Sequence, residues 1–431
     1  MQLRIDNEYD RLAAVLVHRP GREIDRLTHD TMRQFLFEDI PYLRRMQDEH
    51  DAFVAKMRGH GIHVVYLKHL LKDVLANEAV RAKLLDQVCR CEMVPAVIDD
   101  LVSLEHWDLD ALVEILFAGL TADEFLAATG QRIATPGAAE RFLLPPIPNA
   151  YFTRDPAVVV HDAAISCKMH FPQRIRESML TRAVLENHPE FRDNTITYGG
   201  TSEPTEDRPF TIEGGDVIVL SSEAVLIGDS ERTRSETIEL LAAKCFKFGR
   251  IKRVYEIPIP TERSFMHLDT VFTVVDRGVV LWFGQVMQKV GYIHRYEPDG
   301  DDGRGDDGRG DDGRGDDGRG GNGHCNNGHG CVRRIPETRA LLEVLHDEFE
   351  SDVTVIDTAG GHQRFASREQ RTDGTNCFAI APRVAITYER NERTNAALEQ
   401  HGIQCVGIDD SELVRGLGGP RCMTMPLRRT P

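Results

Sequence analysis

One thiol, one imidazole and four carboxylates stand along this 431-residue chain at places where the backbone must bend. Cys422 lies in "RGLGGPRCMTMP" (415–426), where three glycines let the chain curl and Pro420 stiffens the approach. A cysteine so placed suits nucleophilic work once its thiolate is favoured; the plain alternative is a small buried hydrophobe. In "SFMHLDTVFTVVD" (264–276) His267 and Asp269 open an apolar strand two residues apart, a spacing that predicts side chains on one face. Such a pair is costly there unless hydrogen-bonded or used. In "TIEGGDVIVL" (211–220) two glycines between Glu213 and Asp216 permit a sharp bend that aims both carboxylates into one cleft. Asp155 in "FTRDP" is held out of a helix by Pro156. Taken singly, the last two read equally well as a hairpin entry and a turn.

The combination narrows the chemistry. A Cys–His pair alone suggests acyl transfer, but surrounding carboxylates raise a thiol's pKa and repel an oxyanion. They make sense when the electrophile is a cation. A guanidinium is planar and permanently charged, and it matches carboxylates that accept paired N–H bonds. Its charge would also restore thiolate character to the cysteine.

The elements that must position these groups follow from the apolar pattern. "RLAAVLVHRPG" (11–21) reads as a buried strand closed by a turn, 41–60 as a helix and 62–67 as a strand. From 68 to 135 apolar residues recur at three- and four-residue spacing, which predicts successive amphipathic helices inserted into an α/β framework. After 140, hairpin-like pairs such as "VIVLSSEAVLIG" alternate with helical stretches, the rhythm of a pseudo-symmetric assembly. The segment 298–330, built on repeated "DDGRG", has almost nothing to bury and predicts a disordered loop. Its aspartates, and His324, Cys325, His329 and Cys331 around it, do not match metal-ligand spacing.

A net charge of −17 disfavours nucleic acid and anionic membrane as partners. No apolar run has the length of a membrane span, and the N-terminus is charged where a signal peptide would be apolar. Nine scattered cysteines, an odd number, predict reduced thiols in a cytoplasmic setting.

In order along the chain, "NAYFTRDP", "IEGGDV", "ERTRSET", "MHLDTVFT", "DGTNCFAIAP" and "RGLGGPRCMTMP" resemble the arginine deiminases, as do "LAAVLVHRPG" and the helical insert. The resemblance spans nearly everything outside 298–330. It implies an α/β fold, a five-bladed pseudo-symmetric α/β propeller over 1–67 and 136–431, with a helical domain inserted at 68–135. It implies hydrolysis of L-arginine to citrulline and ammonia without metal or organic cofactor. Cys422 would attack the guanidinium carbon, Asp155 and Asp269 would hold the guanidinium nitrogens, and His267 with Glu213 would move protons. Asn149, Arg174 and Arg232 would read the amino-acid end, with Arg176 competing for the place of Arg174. Phe152 would line the pocket, and Asp216 would stand behind the site or help position the guanidinium. A homo-oligomer is the general expectation for such an enzyme.

One departure matters. The family's terminal loop commonly reads R-G-R-G-G, and here its second arginine is Leu417. Losing a charge-assisted hydrogen bond costs roughly 1.5–3 kcal/mol of binding; Arg415 and Arg421 are the candidates to replace it. Other guanidino substrates (agmatine, a methylated arginine), an amidinotransferase, and an inactive guanidine-binding homologue are the alternatives. A nucleophile would be idle in the last.

Overall fold

The structure, a computed structural model, describes residues 1–133, 142–198, 210–247, 250–299 and 332–431, together with the backbone of Gly323–His324. The expected boundary at 135/136 and nearly all of the predicted loop 298–330 lie outside the described residues. The strands flanking that segment, Ile293–Pro298 and Val332–Glu337, pair antiparallel with Pro298 opposite Val332.

One strand pattern occurs five times: a hairpin-like antiparallel pair, then a third strand parallel to the second. The sets are Ala157–Val160, Ala163–Ser166 and Thr195–Tyr198; Val217–Val219, Ala224–Asp229 and Arg253–Pro258; Phe272–Asp276, Val279–Trp282 and Thr354–Asp357; and Phe378–Ala381, Val384–Tyr388 and Gln404–Ile408. The fifth joins the two ends of the chain. Met425–Thr430 runs antiparallel to Arg11–Val17, which is parallel to His63–Tyr66. A parallel neighbour needs a crossover, and each set has a helix between its second and third strands: Ile175–Asn187, Ser235–Lys247, Leu341–Phe349, Glu392–Gln400 and Leu43–Gly59. The first strands Ala157–Val160 and Val217–Val219 are buried along their length, which is why they read as unbroken apolar runs. The second set is widened by Ile293–Pro298 and Val332–Glu337.

The predicted helical stretch is present as Leu67–Leu75, Glu78–Cys91, Ile98–Ser103, Leu109–Ala118 and Ala122–Thr129. Asn77 and Asp108 cap two of these, and Thr121 with Glu124 forms a capping box on a third. The buried Leu71, Leu85 and Leu116 join one continuous apolar cluster with Val158, Leu180 and Val225, so these helices share their core with the first two strand sets. Among the described residues no helix is long and apolar enough to cross a membrane, and the seven described cysteines are all free.

Candidate active site

Each strand set is preceded by a turn, and the five turns hold one another. The amide of Gly214 donates to the Asp155 carbonyl at 3.0 Å. The Leu268 amide donates to Asp216 Oδ1 at 2.8 Å, and Asn376 Nδ2 to the Asp269 carbonyl at 3.2 Å. The Cys422 amide donates to Asn376 Oδ1 at 3.0 Å, and the Arg154 amide returns to the Cys422 carbonyl at 3.1 Å. Asp155, Glu213 with Asp216, His267 with Asp269, Asn376 and Cys422 thus sit on a closed ring of hydrogen bonds. Two glycines make the approach possible. A methyl on Gly215 would lie 2.5 Å from His267 Nδ1, and one on Gly418 would lie 2.2 Å from the Phe152 ring.

The terminal segment is tied down before it reaches the cysteine. Glu49 Oε2 accepts the amides of Glu412 and Leu413 at 3.0 Å, Tyr151 donates to the Leu413 carbonyl at 3.1 Å, and Tyr388 donates to the Gly418 carbonyl at 2.8 Å. Leu417 adopts a left-handed backbone (φ 66°) between these anchors.

Cys422 is buried, its Sγ 3.7 and 4.0 Å from the two oxygens of Asp269. Burial, then the charges of Asp269, Asp155 and Asp373, push its thiol well above the ordinary value. Asp269 is held by Arg421 at 2.7 Å, and Arg421 also meets Glu8 at 3.1 Å. On the other side, His267 Nε2 lies 2.8 Å from Glu213 Oε2 and Nδ1 lies 3.7 Å from Asp155 Oδ1. Burial works against a charged imidazole, but Asp155, the bond to Glu213 and Asp216 outweigh it and raise His267 to about 9. Burial likewise opposes ionisation of Glu213, yet Arg232, His267 and Arg174 hold it well below the carboxylate range. Asp155 Oδ2 takes Arg174 at 2.8 Å, while its buried Oδ1 has no hydrogen-bond partner. Asp155, Glu213 and His267 place ligand atoms within 4.8 Å of one another, a spacing a cation would fit. Guanidinium groups already sit against both carboxylates: Arg174 is 2.8 Å from Asp155 and 3.5 Å from Glu213, and Arg232 is 3.1 Å from Glu213.

The arginine deiminase family model matches residues 33–429. The chain belongs to this family. Proteins named arginine deiminase from Listeria monocytogenes serotype 4a and Bacillus thuringiensis subsp. konkukian are 36% and 34% identical to it, over 99% of this chain and 98% of each relative. Among solved structures, the amidinotransferase SxtG from Microseira wollei aligns with a TM-score of 0.55 at 14% identity, over 100% of this chain and 98% of that one. A DDAH from Pseudomonas aeruginosa complexed with citrulline aligns at 0.50 and 14% identity, over 96% and 99%. At such identities these two likenesses speak to the α/β fold alone.

The structure brings Asp155, Glu213, His267, Asp269 and Cys422 onto one ring of turns and departs from the sequence reading at three points. His267 and Asp269 do not share the face of a strand; His267 caps a 3-10 turn, Leu268–Thr270, and Asp269 lies within it, because the apolar run that makes the strand begins only after the turn, at Phe272–Asp276. Their side chains diverge, His267 to Glu213 and Asp269 to Arg421. Asp216 faces inward rather than into a cleft: Ser230 and Thr233 donate to its Oδ2 at 2.7 and 2.6 Å, and Leu268 to its Oδ1. Neither Arg415 nor Arg421 replaces an arginine at 417, since Arg415 pairs with Asp39 and Glu412, and Arg421 is locked between Asp269 and Glu8. Arg174, with Glu177 behind it, stands in the site, whereas Arg176 turns to the Pro145 carbonyl and Glu92. Arg232 also stacks over Phe171, Asn149 donates to the Phe35 carbonyl at 2.8 Å, and Phe152 packs on Tyr151 beneath the terminal loop. Sequence reasoning missed Asn376, Glu8 and Glu177. Asn376 alone left a signal, a turn in "DGTNCFAIAP" placed before its strand as the other four are.

Proposed function

We propose that this protein hydrolyses L-arginine to L-citrulline and ammonia through a covalent thiouronium on Cys422. One observation carries the reading: a buried thiol beside Asp269 shares a ring of turns with Asp155, whose Oδ1 lacks a hydrogen-bond partner, and with a His267–Glu213 pair. The substrate guanidinium docks between Asp155 and Asp269. In doing so it displaces Arg174 from Asp155 and frees it, with Asn149 and Arg232, for the α-carboxylate.

The incoming charge lowers the thiol's proton affinity, and its proton leaves for solvent. The thiolate adds to the guanidinium carbon, giving a neutral tetrahedral adduct. Imidazolium His267 protonates one amino nitrogen, the C–N bond breaks and ammonia departs, leaving the thiouronium cation. His267, now neutral, takes a proton from water as its oxygen adds to the same carbon. Collapse breaks the C–S bond, returning the thiolate, and the oxygen-bound proton leaves to give citrulline. This is covalent catalysis with general acid–base transfer, and no step calls on a metal or organic cofactor.

The five strand sets around the ring of turns support a five-bladed α/β propeller over 1–67 and 136–431, with the helices of 68–135 as a side insert. The free cysteines support a reducing, cytoplasmic setting, and a symmetric homo-oligomer fits the general pattern for such enzymes. The deciding experiment is Cys422→Ala. Citrulline formation should vanish while circular dichroism stays unchanged; retained activity would remove the assigned nucleophile. Turnover of agmatine in preference to arginine would overturn the substrate.

A further inference from the structure

A 220 Å³ cavity is lined by Glu38, Arg263, Thr270, Arg371, Asp373 and Leu417, among others. Its walls adjoin the ring at three points. Thr270 follows Asp269, Asp373 lies three residues before Asn376, and Leu417 is on the terminal loop that delivers Cys422. Asp373 is 7% exposed, and its Oδ2 is a buried oxygen without a hydrogen-bond partner. The cations in the same wall are committed elsewhere. Arg371 pairs with Glu38, and Arg263 divides itself between Glu38 at 3.3 Å and the Leu36 carbonyl at 2.7 Å.

We propose that Asp373 is a substrate-binding residue that receives the α-ammonium group of the amino-acid substrate. An unpaired buried carboxylate is expensive, and a ligand ammonium with three donors meets that need. Burial and the like charge of Asp269 push Asp373 up to about 8, against only partial relief from Arg371, so its ionised form wants a counter-charge. The position is right for the task. On this proposal the substrate runs from the guanidinium held by Asp155 and Asp269, past Thr270 beside Asp269, to Asp373 and Leu417 in the cavity wall. Recognition of the amino-acid end through its cation also fits a loop in which residue 417 is apolar and supplies no charge for the carboxylate.

This assignment rests on the arginine reading, so the test separates the two. δ-Guanidinovalerate has the carboxylate and the guanidinium of arginine but no α-amine. Wild-type protein should favour arginine over it by at least tenfold in kcat/KM. Asp373→Asn should raise KM for arginine about tenfold or more, corresponding to the loss of one charge-assisted contact, with kcat little changed. It should leave KM for δ-guanidinovalerate where it was. Equal losses on both substrates would make Asp373 a structural residue and overturn the proposal. If the variant does not fold, the wild-type comparison decides alone, and equal handling of the two compounds is fatal. Wild type that makes no citrulline from arginine overturns the arginine reading itself, and this subsite with it.

Discussion

Cys422 is a poor nucleophile until something positive lies beside it, because burial and three carboxylates favour its neutral thiol. Removing the foremost of those charges, on Asp269, should therefore make the cysteine more reactive while making the enzyme worse. In Asp269→Asn, alkylation of Cys422 by iodoacetamide should show a lower apparent pKa than in the wild type, although turnover is lost. An unchanged or higher pKa would mean that Asp269 does not set the thiol's charge state. His267 works the other way. Held near 9, it stays an imidazolium through neutral pH and can act as the acid for the leaving nitrogen. Its alkaline limb in kcat/KM should move to lower pH in Glu213→Gln, which deletes one of the groups that raise it. The same shifts bear on stability. The raised His267 contributes stability that is complete below about 6.5 and is lost as pH rises through about 9. The depressed Glu213 contributes above about 4.5 and fails as pH falls toward its own low value. The pair is thus firmest between those limits, a window that a melting series against pH would display.

Turns, not strands, carry the chemistry, and this decides which element-scale substitutions matter. Gly215→Ala sets a methyl against the His267 ring, and Gly418→Ala sets one into Phe152. Overpacking of this kind costs about 1–3 kcal/mol of stability, while displacing a reacting group by an ångström costs roughly 100-fold in rate. Activity should therefore fall further than the melting temperature implies in both variants; a loss of activity matched by the loss of folded protein would count against the close packing. The same distinction explains what was legible in the sequence. Hairpins such as Phe378–Ala381 with Val384–Tyr388 are mostly buried and announce themselves as paired apolar runs. The parallel third strands Thr195–Tyr198, Thr354–Asp357 and Gln404–Ile408 are only partly buried, and their mixed composition gives no period to read. Glu213, His267 and Cys422 stood out because residue type and bend coincide. Glu8 and Asn376 did not, since their roles lie in partners more than forty residues away, Arg421 and Cys422. The strand-face argument for His267 and Asp269 failed because it extended an apolar period across a turn.

At the scale of the molecule, the last strand, Met425–Thr430, pairs with the first, Arg11–Val17, so the nucleophile is carried on a tail held by the other end of the chain. The site therefore depends on pairings distant in sequence, whereas the "DDGRG" repeats lie in the chain between Ile293–Pro298 and Gly323–His324, both of which pair with Val332–Glu337. None of the turns that form the ring lies between those strands. Excising residues 301–320 should consequently leave kcat/KM for arginine within about twofold of the wild type. Closing a shorter connection costs less entropy, by about 1 kcal/mol for this change in length. The melting temperature should then stay level or rise by a few degrees at most. A fall in melting temperature, or a tenfold loss of activity in a folded variant, would show that the repeat is bound into the fold or the site rather than appended to it.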